Sequence, residues 1–206
     1  MTRRSLALAA LLALMLFPLR PARAAIDVTP FVGAMIPAKT QFMDASGSSY
    51  LRMETHTVYG LTFASSLNEK LGMEVVLGTG TGKLELVGGD RFELASTAYF
   101  ADLRGRIRLL GGSQSSLSGV LGVGYTDFAV GLFDLAEETD LGTFIGRVTG
   151  VLGAEVQSSL SDRVHLNVTM VDRIHAAGIA LNGFGSEPIQ KTQNDITITA
   201  GLTFGM

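Results

Sequence analysis

The 206-residue sequence contains no cysteine. A chain without thiols has neither a disulfide framework nor an attachment point for lipid, so no staple and no lipoprotein anchor holds it. Beyond its first two dozen residues it also lacks any stretch approaching 18 uninterrupted apolar residues, which excludes a helical membrane protein. Basic charge is scarce and scattered, with 16 Lys and Arg against 19 Asp and Glu. That balance argues against nucleic acid as a partner. The three histidines, His56, His165 and His175, show no metal-ligand spacing, and no metal or other cofactor is expected.

What the sequence does have begins at its N-terminus. Arg3 and Arg4 precede an apolar run from Leu6 to Phe17, followed by Pro18, Pro21 and the small-x-small triplet Ala22-Arg23-Ala24. This is the order of a cleavable secretory signal peptide, and its apolar core is shorter than the roughly 20 residues a spanning helix needs. Cleavage after Ala24 divides the chain into a signal peptide, 1–24, and one domain, 25–206. Four arginines and no acid leave with the signal, so the remaining 182 residues carry a net charge of −7 in place of −3. They suffice for one domain with a full core or one closed barrel.

Across that domain, segments of about ten residues rich in Val, Leu, Thr, Tyr, Phe and Gly alternate apolar and polar positions, the period-two signal of a strand. Eight are recognised, at 26–36, 52–63, 71–81, 92–109, 117–126, 143–157, 164–173 and 195–206. The connections alternate between short Ser-rich ones (64–70, 110–116 and 158–163) and longer ones (37–51, 82–91, 127–142 and 174–194). The short ones echo each other: Ser65-Ser66-Leu67-Asn68-Glu69-Lys70-Leu71 is matched by Ser158-Ser159-Leu160-Ser161-Asp162-Arg163-Val164. Short turns at one end and long loops at the other characterise an up-and-down barrel whose loops face outside and carry its specificity.

Each strand has an apolar and a polar face. Tyr99, Ala101, Leu103, Gly105, Ile107 and Leu109 alternate with Phe100, Asp102, Arg104, Arg106 and Arg108; Val58, Val76, Val120, Ile145, Val151 and Val171 interrupt the polar faces. A lipid-bathed barrel points the apolar face outward, and a soluble lipocalin-like barrel points it inward. Aromatic placement favours lipid. Tyr99, Tyr125 and Phe144 fall toward the long-loop end of the apolar face, and Phe63 and Phe204 toward the short-turn end, like the two interfacial girdles of a membrane barrel. The polar face then sends Glu74, Asp102, Arg104, Arg106, Arg108, Arg147 and Glu155 into an interior that eight strands leave just wide enough for side chains to fill. Charges cut off from bulk water must pair, so Glu74 and Glu155 are expected to meet some of these arginines in a network that blocks the lumen.

The C-terminus, Thr199-Ala200-Gly201-Leu202-Thr203-Phe204-Gly205-Met206, resembles the terminal signal read by the outer-membrane assembly machinery, carried by Thr199, Gly201, Phe204 and Met206. Such signals usually finish on an aromatic residue, and here Met206 stands last. Near the start of the domain, Ile26-Asp27-Val28-Thr29-Pro30-Phe31-Val32-Gly33 resembles the first strand of the small OmpA/OmpX/OmpW-like barrels. The resemblance implies an all-β, closed, antiparallel eight-stranded transmembrane barrel in the outer membrane of a Gram-negative cell. It also implies as partners outer-membrane lipid, lipopolysaccharide and the assembly machinery, together with an unidentified surface ligand. A monomer with a non-enzymatic structural or surface-interaction role is expected. The alternatives are an OmpW-like narrow channel for small or apolar molecules and a soluble ligand-binding barrel.

Three features invite a chemical reading. Gly78-Thr79-Gly80-Thr81-Gly82-Lys83 fails as a phosphate loop, because the Walker pattern needs Gly where Leu77 stands and Ser or Thr where Leu84 stands; its glycines are expected to ease a twisted strand into a loop. The His-x-Ser pair of the lipid deacylase barrels is absent, since Asn167 and Ala177 stand two places after His165 and His175. Asp134, Glu137, Glu138 and Asp140 crowd the third long loop beside Phe128, Val130, Leu132, Phe133 and Leu135; the acids read as a solvated run, with a divalent cation bridging them to lipopolysaccharide phosphate as the alternative, and the apolar residues either touch a partner or fold back over the barrel mouth.

Overall fold

The computed structural model describes residues 26–37, 42–43, 50–87, 92–112, 114–130, 143–176 and 192–205. The segment read as a signal peptide, the acidic run of the third long loop, most of the fourth and Met206 lie outside the described residues.

Ten strands follow one another with no helix among the described residues: β1 (Ile26–Ile36), β2 (Phe42–Met43), β3 (Tyr50–Met53), β4 (His56–Ser66), β5 (Leu71–Val87), β6 (Phe92–Gly111), β7 (Ser115–Val130), β8 (Thr143–Ser159), β9 (Val164–Ala176) and β10 (Thr192–Phe204). Every pairing is antiparallel, each barrel strand pairs with its sequence neighbours, and β1 pairs with β10 to close the ring. The closed wall consists of eight strands, β1 and β4 to β10, as the alternation predicts. The small β2–β3 hairpin extends it upward on β5, where Met53 pairs with Leu84, and a hydrogen bond from Glu54 N to Lys83 O (2.9 Å) bridges the break before β4.

The echoing Ser-rich segments fold alike. Leu67 N and Asn68 N both donate to Leu71 O, and Leu160 N and Ser161 N both donate to Val164 O. Asn68 Oδ1 locks the first turn by accepting from Lys70 N and Leu71 N. The middle turn instead places Gly111 at φ 100°, a left-handed conformation that glycine adopts without a Cβ penalty.

Three expectations about boundaries are corrected: β7 runs to Val130, so Phe128 and Val130, read as part of the third long connection, are strand residues, and Phe128 is buried inside the barrel. The segment 52–63 is not one strand: it breaks between β3 and β4, and β4 continues to Ser66. The connection 82–91 is largely not a loop, because β5 runs to Val87 and pairs with β6 as far as Leu86↔Phe92. The glycines that suggested a loop serve side-chain space instead. A Cβ on Gly78 would stand 2.2 Å from the Phe100 ring, one on Gly80 2.6 Å from Val58, and one on Gly82 2.6 Å from the His56 ring. They are strand residues that leave room for large neighbours inside the barrel.

The apolar face points outward all round the wall. Val32, Leu61, Leu77, Ile107, Leu121, Leu152, Val168 and Leu202, one from each barrel strand, are exposed, and Leu121 has 64 % of its surface free. Tyr59, Tyr99 and Tyr125 are exposed toward the long-connection end, and Phe63 and Phe204 toward the turn end. The Phe144 side chain lies outside what is described. A soluble barrel would bury these side chains. Outward apolar residues over a polar interior are the arrangement of a barrel whose solvent is hydrocarbon.

Candidate functional site: the filled lumen

Because strand side chains alternate, every second residue of β5 to β10 enters a lumen too narrow to keep water around each charge. The structure places Glu74, Asp102, Arg104, Arg147 and Glu155 buried inside the barrel and Arg106 mostly buried. Arg108 stands at the turn end, exposed, and is not part of the buried network.

The buried charges form three groups stacked along the lumen. Toward the turns, Arg106 Nη1 lies 2.8 Å from Glu155 Oε1 and 3.4 Å from Glu74 Oε1, so one guanidinium joins β6 to both β5 and β8. At mid-height Asp102 Oδ2 accepts from Arg104 Nη2 at 2.5 Å and from Arg173 Nη2 at 2.6 Å. Arg173 has no exposed surface; it also donates to Thr197 Oγ1, and its guanidinium lies 4.3 Å from the centre of the Phe100 ring. Toward the long connections, His175 Nε2 donates to Asp195 Oδ2 at 2.9 Å, while Arg147 Nη1 approaches His175 Nδ1 at 3.2 Å. Above these groups Phe31, Met35, Met53, Val58, Leu84, Ala98 and Phe128 form an apolar cluster, against which His56 packs edge-on to Phe128.

Four buried carboxylates, Glu74, Asp102, Glu155 and Asp195, thus face four arginines, Arg104, Arg106, Arg147 and Arg173. Within these three groups carboxylates and arginines balance, which favours their burial in a low dielectric. Room for the large groups comes from glycines across the ladder. A Cβ on Gly124 would stand 2.1 Å from Asp102 Oδ1, and one on Gly122 3.1 Å from Arg104 Cγ. A void of about 20 Å³ remains beside Glu74, Arg104, Glu155 and Arg173. That is the space of about one water molecule.

Sequence reading missed Arg173, His175 and the part Asp195 plays. The signal was present, since Arg173 and His175 continue the inward parity of His165, Asn167 and Thr169. Of the terminal-signal residues, Thr199 and Gly201 sit half-buried on the lumenal row of β10 and Phe204 is exposed on the outer face. Gly201 is where β1 and β10 close the ring, and a Cβ there would stand 2.5 Å from Pro30 O. His165 does not join the network; Ser159 Oγ hydrogen-bonds its Nδ1 at 2.9 Å and closes the β8–β9 hairpin. Among the described residues, no three His, Asp or Glu side chains gather as a metal site would need.

A substitution at Gly78 tests the packing directly. The ring it faces is held between Phe31 at 6.3 Å and the Arg173 guanidinium, so it has little freedom to retreat. Gly78→Val is expected to cost about 1–3 kcal/mol by overpacking, read as a lowered denaturation midpoint of the refolded barrel. An unchanged midpoint would show that the lumen is loosely filled.

No protein-family model and no curated protein matches this sequence. Solved structures do match its fold. The outer membrane protein OprG from Pseudomonas aeruginosa superposes with a TM-score of 0.63 at 18 % identity, covering 89 % of this chain and 96 % of that one. Neisserial surface protein A gives a TM-score of 0.52 at 10 % identity, over 88 % and 97 % of the two chains. Outer Membrane Protein W of E. coli gives 0.51 at 12 % identity, over 89 % and 98 %. At such identities the likeness is one of fold, that of the eight-stranded outer-membrane barrel.

Proposed function

We propose that this protein is an integral outer-membrane barrel whose lumen is a sealed, non-enzymatic plug, and that its role in the envelope is structural or is exercised through its long connections. The observation that carries this reading is the stack of buried ion pairs across the lumen, beside which lies a void of about 20 Å³. An ion crossing it would have to displace side chains already paired in a low dielectric. The outward apolar wall supports membrane insertion, and the fold likeness to OprG and Outer Membrane Protein W supports the outer membrane.

Reconstituted into planar bilayers, the protein is expected to show little or no steady conductance, while on gels it migrates differently with and without boiling. A stable open channel would refute the plug. Recovery in the soluble periplasm without a heat-dependent shift would refute the membrane barrel itself.

One further reading has specific support, a conduit for small apolar molecules. The upper lumen is lined by the buried apolar side chains of Met35, Val58, Ala98 and Phe128. Uptake of a small apolar probe into vesicles holding the protein, in the absence of ion conductance, would favour it.

A further inference from the structure

Arg108 is the interior-facing arginine that the buried network leaves out. It lies on the same row of β6 as Arg106, but where Arg106 is held by Glu74 and Glu155, Arg108 reaches the turn end exposed and, among the described residues, forms no ion pair. A polar notch opens there, lined by Lys70, Arg106, Arg108, Ser116, Ser118 and Gln157. Arg108 N donates to Lys70 O at 2.8 Å, which fixes the two cationic residues side by side, and Asn68 Oδ1 locks the turn that carries Lys70. Directly after Arg108 the β6–β7 ladder shifts register. Bulges at barrel rims re-aim side chains. Here the result is that Leu109 and Leu110 are both exposed, next to exposed Ile107, Leu71 and Leu67. A cationic notch thus sits immediately beside a dense apolar patch at one edge of the wall. Glu69 is the single acid on its rim.

We infer that this notch is a binding site for a phosphate oxyanion, and that its occupant is the headgroup phosphate of an anionic phospholipid whose acyl chains lie along Leu71, Ile107, Leu109 and Leu110. The enclosed space is about 10 Å³, enough for one oxygen atom. The phosphate therefore rests on the rim, with one oxygen inserted toward Ser116 and Ser118 and the others facing Lys70 and Arg108. Guanidinium and ammonium donors to such an oxyanion form charge-assisted bonds, the strong class of hydrogen bond. The inference rests on the reading that the barrel spans a membrane, since only then does the turn-end rim meet lipid headgroups.

The test uses the refolded barrel in nanodiscs of phosphatidylcholine mixed with phosphatidylglycerol, with retained lipids counted by native mass spectrometry. The parent protein is expected to retain one phosphatidylglycerol in preference to phosphatidylcholine. Lys70→Gln and Arg108→Gln are each expected to weaken that retention roughly tenfold, the loss of one charge-assisted bond. Arg163→Gln, which removes a cation from a turn outside the notch, is expected to leave it unchanged. Equal retention by all variants, or equal loss in Arg163→Gln, would overturn the site. Inorganic phosphate titrated onto the detergent-solubilised barrel separates the sources. Saturation of the amide shifts of Arg108 and Ser118 by phosphate alone, with no lipid retained, would overturn the lipid and keep the oxyanion. Failure of the parent to show a heat-dependent gel shift would strike the membrane reading instead, independently of the notch.

Discussion

Asp102→Ala is expected to destabilise the barrel by about 3–5 kcal/mol, the cost of leaving a buried charge without its partner. Among the described residues Asp102 is the only carboxylate that both Arg104 and Arg173 address by ion pair, and all three side chains are buried. Removing it leaves two guanidinium groups confronting each other in the lumen. Arg173 retains Thr197 Oγ1 and the face of Phe100, but a desolvated cation–π contact contributes about 2 kcal/mol and does not neutralise charge. The measurement is the urea midpoint of the barrel refolded into lipid, with the heat-dependent gel shift reporting the folded fraction. Asp102→Asn separates the causes, because it keeps an acceptor and removes only the charge. Replacing the triad together, with Leu at 102 and Met at 104 and 173, is expected to recover most of the loss, since apolar groups of similar volume carry no desolvation penalty. A wild-type midpoint in Asp102→Ala would mean that water reaches the arginines, and the sealed lumen would have to be abandoned.

The reason this triad could not be assembled from sequence is geometric. Parity assigns Asp102 and Arg104 inward, and extending the β9 alternation assigns Arg173 inward as well. Parity does not say which inward residues meet. Asp102 and Arg173 lie 71 positions apart, on β6 and β9, which are separated in the wall by β7 and β8. Their contact crosses the lumen, and it depends on how far the strands are staggered when the ring closes. Wall neighbours are more legible, as in Ser159↔His165, where one short turn fixes the register. Strand number and facing were legible because both follow from local alternation. Strand ends were not, and Gly78, Gly80 and Gly82 show why: glycine is a loop signal by backbone freedom, yet here it answers to Phe100, Val58 and His56 on the neighbouring strands, which face it only once the pairing register is set.

Leu121→Arg is expected to cost about 2–4 kcal/mol, the depth-dependent penalty of a cation on the lipid face of a barrel near the bilayer midplane. Leu121 is the central position of the outward row of β7, between Leu117 near the turn and Tyr125 near the long connection, and most of its surface is free. It touches little that the substitution would disturb. Were the barrel surrounded by water, an arginine at so exposed a position would change stability by no more than about 0.5 kcal/mol. The same substitution at Leu67, as exposed but placed in a turn, provides the depth control and is expected to cost about 0–1 kcal/mol, as near an interface. Denaturant midpoints of the two variants in lipid vesicles give the comparison. A large loss at 121 with little at 67 points to a hydrocarbon belt around the middle of the wall, since the two side chains are equally exposed and an exposed strand position in water would not carry so large a penalty. Equal small losses would mean that the apolar exterior faces something other than lipid, and the case for a membrane barrel would then rest on fold likeness alone.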